Sequence, residues 1–324
     1  MNIPESIQEQ VKKEITLFCK NLPKEPKELY EPMRYILSLG GKNIRPALLL
    51  LTCKMLGGKV KDALPAAIAI ELFHNFTLIH DDITDNSPLR RNHPTVHVKW
   101  NSNIALLSGD ALLIKSYQEL NKTLPAKLGL VVNVFNEAAL RVCEGQQYDM
   151  NYERINRVSL EDYLNMIRLK TAALFSASMQ LGAIVANASS SDCKKMKATG
   201  ENLGMLFQLK DDVLDVFGNP KITGKQTGGD IIQGKKTFLL LKALELAKGK
   251  TKTELNSLIG NSKIAPKEKV EKVKKIYLNL GVEEYANKQM AFYYSEAKKN
   301  LSSIKTPEKD ILLALAETLL NRDT

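Results

Sequence analysis

The sequence predicts an all-α fold, and three observations predict it. Nearly every segment between turn signals spaces its apolar residues at the 3.6-residue helical period. Alternating apolar and polar runs, the mark of a half-buried strand, are scarce. Two long segments are apolar almost all round, a composition that suits the interior of a helical bundle.

The elements follow in chain order. The period marks helices over 4–21, 26–39 and 45–56. Pro65 then opens AAIAIELFHNFTLIHDDITDN, the first of the apolar segments. Asp62 or a neighbour caps it, proline is tolerated in a first turn, and Pro88 stops it. A long loop is expected over 86–103, then helices over 104–121, 125–152 and 160–186. The Ser-rich turn NASSSD precedes the second apolar segment, 194–217, which ends at Gly218-Asn219-Pro220. A second long loop covers 218–236, and further helices are expected over 237–246, 267–278, 282–304 and 307–322. No low-complexity linker interrupts the chain, so residues 1–324 read as a single domain.

Composition excludes several classes. Hydrophobic content of 44% and charged content of 25% are those of a soluble globular chain. No uninterrupted apolar run has the length of a membrane span, and MNIPESIQEQVKKEI lacks the apolar centre of a signal peptide. Cys19, Cys53, Cys143 and Cys193 are scattered, which indicates neither a zinc site nor a disulfide framework. A reducing cytoplasm is the expected location. The net charge of +10 comes largely from late lysines at helical spacing with interspersed Glu. Such a run is a solvated helix face, so no nucleic-acid partner is expected.

The most informative feature is a repeated acidic pattern. Asp81, Asp82 and Asp85 recur at i, i+1, i+4, and Asp211, Asp212 and Asp215 repeat that spacing. Residues four apart share a helix face, so each cluster projects two carboxylates the same way. Like charges at that spacing cost roughly 0.2–0.5 kcal/mol per pair. Both clusters also lie at the C-terminal end of an apolar helix, where the dipole disfavours anions. A bound cation offsets both errors. Hard oxygen ligands with open positions suit magnesium bridged to substrate phosphates, so the pair reads as a diphosphate site.

Basic groups surround the pattern. SPLRRNHPTVH places Arg90 and Arg91 just after the first cluster, and guanidinium forks suit phosphate oxygens. GNPKITGKQTGGDIIQGKKT supplies Lys225, Lys235 and Lys236 after the second, and GGKNIRP supplies Lys42 and Arg45.

These motifs together make the chain resemble the trans-polyprenyl diphosphate synthases. LIHDDITDNSPLRRNHPT and LGMLFQLKDDVLDVFG stand at the family's two aspartate-rich positions. GGKNIRP, ELFHNFTLIHDD, SGDALL, IRLKTAALF and GKQTGGDIIQGKKT stand at others, in the same order, across roughly residues 39–240. The resemblance implies the isoprenoid synthase helical bundle around a central cavity, a homodimer, and three magnesium ions per site. It implies that Asp81, Asp82, Asp85 and Asp211 bind metal, with Asp212 and Asp215 counted in the metal set and acting through water or by orienting neighbours. Lys42, Arg45, His74 and Arg91 correspond to the isopentenyl diphosphate pocket. Arg90, Lys170, Thr171, Gln208, Lys225 and Lys235 correspond to groups around the allylic diphosphate, Lys170 and Lys225 being counted with the catalytic set. Two positions depart from the pattern: Asn43 stands where the family usually has Arg, and Asn92 where it has Gly. Asn tolerates a left-handed backbone, so a turn at Asn92 is retained.

The implied reaction is head-to-tail condensation of isopentenyl diphosphate with an allylic diphosphate. Phe76 lies about 7.5 Å before Asp81 along the helix axis. In the family a bulky residue there acts as a floor that favours short products. Phe73 shares its face, while Thr77 is small, so farnesyl or geranylgeranyl diphosphate is the expected product. Alternatives are a longer-chain synthase or a non-catalytic subunit of a heteromeric one. A terpene cyclase is disfavoured because DDVLD, with lysines following, is not its second metal motif. No stable membrane insertion is expected.

Overall fold

The computed structural model describes residues 3–155, 157–218, 228–259, 261, 263–304 and 306–320. Helices α1 (Glu5–Asn21), α2 (Lys27–Ser38) and α3 (Ile44–Met55) lead to α4 (Val60–Thr84), which carries the first aspartate cluster. A hairpin of β1 (Leu89–Arg90) and β2 (His93–Pro94), then the short α5 (Val96–Lys99), fill most of the expected loop. Next come α6 (Ser102–Leu120), α7 (Pro125–Arg154), α8 (Leu160–Ile167), a π-helical turn (Arg168–Ala172) and α9 (Ala173–Val185). The second cluster ends α10 (Ser190–Phe217). After it stand α11 (Gly229–Gln233), α12 (Phe238–Leu246), α13 (Gly249–Ile259), α14 (Pro266–Leu280), α15 (Val282–Leu301) and α16 (Pro307–Leu320).

Several boundaries differ from expectation for local reasons. Asp62 lies inside the first turn of α4, which starts at Val60 with Lys59 as its uncapped N-cap. The Ser-rich turn is itself a cap. Ser189 Oγ accepts from the Asp192 N–H at 3.1 Å, so α10 begins at Ser190. The hairpin turns on Arg91 and Asn92, with φ of 53° and 63°, the paired positive values of a tight two-residue loop. Asn43, the other departure, is also left-handed at φ 48° and precedes α3. Both Asn residues thus sit where an unbranched polar side chain is tolerated.

Among the described residues, three apolar clusters adjoin through the first of them. The largest joins α3, α4, α7, α9 and the start of α10. A second gathers α8, the rest of α10 and α11 to α15. A third seats α2 and α6 against α4. Phe207 and Tyr294 pack against the first two, and Ile15 and Phe76 against the first and third. Helix α4 is long and apolar enough to cross a membrane, but 67% of its most apolar window is buried against the other helices.

The π turn lies between α7 and α10. A Cβ at Gly204 of α10 would stand 2.5 Å from Ala172 Cα, and one at Gly145 of α7 would overlap the Lys170 backbone. Glycine at both positions lets the two helices close on the π turn, α7 at Lys170 and α10 at Ala172. Single π turns insert a residue into a helix and re-aim its side chains, and they concentrate at functional sites.

Candidate active site

The end of α4 presents its carboxylates in two directions. Asp82, 1% exposed, faces the hairpin and receives a two-point guanidinium contact. Arg90 Nε–H donates to Asp82 Oδ2 at 2.8 Å and Nη2–H to Oδ1 at 2.7 Å. Asp81 and Asp85, four residues apart, share the other face. Lys235 Nζ donates to Asp85 Oδ2 at 3.2 Å, so the segment after α11 reaches back to the first cluster. Lys170 Nζ donates to Asp149 Oδ2 of α7 at 2.6 Å, and its charge also acts on Asp81.

Electrostatics set this group apart. Burial, with repulsion from Asp85 and Asp149, raises the Asp81 carboxyl above the usual range against the pull of Lys170 and Arg90. Burial lowers the Lys235 ammonium, but Asp85, Asp149 and Asp230 outweigh it and hold its pKa above the usual value. Carboxylates crowded beyond what the local cations neutralise fit a hard divalent ion. Among the described residues no three His, Cys, Asp or Glu side chains form a ready-made cage. An ion held here would therefore share its coordination with oxygens of a ligand.

The second cluster is arranged differently. Asp212, 3% exposed, accepts from the Tyr163 hydroxyl, from Gln208 Nε2–H at 3.1 Å and from the Phe238 N–H at 3.3 Å. Burial, then repulsion from Asp230, pushes its carboxyl up to about 8. Asp215 Oδ2 accepts from the Asp230 N–H at 3.1 Å, which fixes α11 beside it. Asp211 lies near enough to Arg45 to raise the guanidinium's proton affinity. Thr171 Oγ1–H donates to Gln208 Oε1 at 2.9 Å, so Thr171, Gln208 and Asp212 form one chain of hydrogen bonds.

A cationic group lies beside α4. Arg45 Nη1 is 3.2 Å from His74 Nε2, and its guanidinium carbon stands 4.7 Å from the Phe175 ring centre. The Arg91 guanidinium lies over the backbone before Lys42, because a Cβ at Gly41 would be 2.9 Å from Arg91 Nη2. Burial, with Arg45, Arg91 and Arg90 adding, holds His74 well below its usual pKa, so its imidazole is neutral. Burial lowers Arg45 to about 10.

The structure thus brings together Arg45, His74 and Arg91 on one side, and Asp81, Asp85, Lys170 and Lys235 on the other. Lys42 is next in the chain to Gly41, whose backbone lies beneath Arg91. The polyprenyl synthetase family model matches residues 26–279.

The chain belongs to the polyprenyl synthetase family.

The geranylgeranyl diphosphate synthase of Saccharolobus solfataricus is 40% identical over 304 residues, covering 91% of each chain. A solved geranylgeranyl pyrophosphate synthase matches with TM-score 0.94 at 40% identity, covering all of both chains. A geranylgeranyl pyrophosphate synthase from Corynebacterium glutamicum, solved with isoprenyl diphosphate and magnesium, matches with TM-score 0.89 at 27% identity, covering 99% of this chain and 100% of that one. The all-α isoprenoid synthase fold is the family's, as expected, and divalent metal use accords with it.

Four of the sequence-derived site residues have surroundings the sequence did not foretell. Asp82, which the sequence grouped with the metal ligands, accepts from Arg90 through both of its oxygens. Asp212 has both oxygens occupied by protein donors, although the sequence grouped it with the metal ligands. Arg90, grouped with the allylic diphosphate, is bound to Asp82. Gln208 joins Thr171 to Asp212. Lys225 lies outside the described residues. Sequence reasoning missed Asp149, Tyr163 and Glu71. Glu71 is buried among the pocket cations; burial raises its carboxyl, while Arg45, Arg91 and the Asn75 amide lower it. Its one available signal was its place three residues before His74, on the same helix face.

Proposed function

We propose that the chain is a short-chain trans-polyprenyl diphosphate synthase, a prenyltransferase that condenses isopentenyl diphosphate with an allylic diphosphate. The observation that carries this reading is the convergence of Lys170 and Lys235 on the face of Asp81 and Asp85, with Arg45, His74 and Arg91 grouped alongside. Of farnesyl and geranylgeranyl diphosphate, the second is the favoured product, in keeping with the relatives' names and the small Thr77 beside Phe76.

Asp81, Asp85 and Asp211 would hold magnesium, three ions per site, which when bound neutralises the allylic diphosphate as a leaving group. Lys170, Lys225 and Lys235 bind the same diphosphate and stabilise the charge that develops on it. Lys42, Arg45, Arg91 and neutral His74 bind isopentenyl diphosphate. The allylic carbon–oxygen bond breaks to leave an allylic cation and diphosphate, and the double bond of isopentenyl diphosphate attacks that cation to form the new carbon–carbon bond. The departing diphosphate then takes the proton lost from the adjacent carbon. Asp82 and Arg90 hold the first cluster in register. Asp212 and Asp215, with Thr171 and Gln208, orient the second. The apolar walls of α3, α4 and α9 keep water from the cation. Phe76, backed by Phe73 with ring centres 5.5 Å apart, is the floor for the growing chain.

A second copy covers the apolar side chains that α6 and α7 leave exposed: Leu106, Leu107 and Ile114 on α6, and Leu130 and Leu140 on α7. Residues 1–324 act as one domain, supported by side chains that pack against two apolar clusters at once. The cytoplasm suits its four free thiols.

The test is product analysis of the purified chain with magnesium, isopentenyl diphosphate and dimethylallyl, geranyl or farnesyl diphosphate. Metal-dependent extension ending mainly at twenty carbons is expected. Folded protein that extends no primer overturns the reading in favour of a non-catalytic subunit. Phe76→Ala is expected to lengthen the product, and an unchanged distribution would remove the floor.

A further inference from the structure

The SGDALL motif on α6 supplies none of the groups assigned above, yet it lies directly behind the floor. His80, one turn after Phe76 on α4, meets the Phe76 ring edge to face, with centroids 4.6 Å apart and planes at 63°. Beyond it the imidazole reaches α6. Its Nε2 lies 3.3 Å from the Leu106 carbonyl oxygen and 3.6 Å from Asp110 Oδ1. The imidazole has this place because residue 109 has no side chain. A Cβ at Gly109 would stand 2.5 Å from His80 Nε2 and 2.6 Å from Cδ2, inside any tolerated contact. The same Cβ would stand 3.6 Å from Phe76 Cδ2, an ordinary contact distance.

The Phe76 ring is therefore held from two sides. On one side is Phe73, 1% exposed and itself packed on Phe135 with centroids 5.3 Å apart. On the other is a half-buried imidazole seated in a gap that a glycine leaves open. The first support belongs to the close-packed core. The second is a single ring whose removal leaves space for Phe76 to turn aside.

We propose that His80 and Gly109 help to set product length. His80 is the positioning residue that keeps the Phe76 ring across the path of the growing chain, and Gly109 is the gap that admits it. The proposal rests on the reading of Phe76 as the floor.

The experiment is product-length analysis of the full chain with magnesium, isopentenyl diphosphate and farnesyl diphosphate, in wild type and four variants. His80→Ala should raise the ratio of longer to normal product roughly two- to tenfold, the range spanned by one aromatic pair. His80→Gln retains a donor for the Leu106 carbonyl without the ring, so it should lengthen the product as well. Adding Gly109→Ala to His80→Ala places a methyl against Phe76, and the ratio should fall back towards wild type. General loss of stability would not reverse in this way. Phe76→Ala is the control for the floor. A wild-type distribution in either His80 variant, with Phe76→Ala still lengthening the product, overturns the proposal and leaves the floor standing. If Phe76→Ala also leaves the product unchanged, the floor itself is absent and the proposal falls with it. Should His80→Ala be inactive or insoluble, His80→Gln decides by the same criterion.

Discussion

The two aspartate clusters have the same spacing and the same place at the end of an apolar helix, yet different partners hold them. At the end of α4 the middle carboxylate, Asp82, is gripped by a guanidinium, and Asp85 by an ammonium. At the end of α10 the middle carboxyl, Asp212, is held by a phenol, an amide and a backbone N–H, and Asp215 by a backbone N–H. Charged donors hold the middle carboxylate of the first cluster, and neutral hydrogen-bond donors hold that of the second. Burial and repulsion from Asp230 push the Asp212 carboxyl up to about 8, against the opposing pull of those three donors. A repeated motif therefore need not mean a repeated role: its first Asp can face a ligand at both sites while the second serves a different neighbour at each.

The contrast can be broken by substitution. The largest effect is expected at Asp81, where Asp81→Asn removes charge from the face that Lys170 and Lys235 approach. Loss of one such electrostatic group costs about 10²–10³ in rate, so kcat/KM should fall by that factor while the melting temperature hardly changes. Next is Arg90→Lys, which replaces a fork by a point charge and leaves buried Asp82 half satisfied. It should cost about 1–2 kcal/mol of stability, a figure kept low because the guanidinium is partly exposed, and should show as a lowered Tm. Asp212→Asn is expected to be milder, within about tenfold in kcat/KM. Asparagine copies the shape of a neutral carboxyl and disturbs about one hydrogen bond. An Asp212→Asn loss as large as that of Asp81→Asn would erase the distinction between the clusters.

The smallest effect concerns pH. His74 is held below its unfolded value of 6.5, so its neutral form favours the fold above that pH. As pH falls through 6.5 the unfolded chain gains the proton first, and stability drops until the folded imidazole also protonates. The Tm difference between wild type and His74→Gln should therefore shrink between pH 7.5 and pH 5.5. A difference that stays constant would show that His74 is not held neutral.

Legibility from sequence followed physical scale. Long helices were readable because α4 and α10 repeat their pattern over 25 and 28 residues. The π turn was not, because one inserted residue leaves the apolar spacing of 160–186 almost unchanged. The hairpin was too short for an alternating pattern, and only Asn92 hinted at its turn. Helix α13 was missed because it buries just Leu255 and Leu258 beneath a lysine- and threonine-rich surface. Site residues that come in clusters, such as the aspartates, were legible. Those that act singly across the fold were not: nothing local distinguishes Tyr163 or Asp149 from other polar residues on half-buried helices. Their significance lies in tertiary contacts at sequence separations of 49 and 21.

The most direct test of this division is a magnesium titration of binding, by calorimetry, of an unreactive allylic thiodiphosphate to wild type, Asp81→Asn and Asp212→Asn. Binding to wild type should strengthen with magnesium, Asp81→Asn should lose most of that dependence, and Asp212→Asn should keep it. Wild-type binding that is indifferent to magnesium, or equal losses in the two variants, would contradict the account.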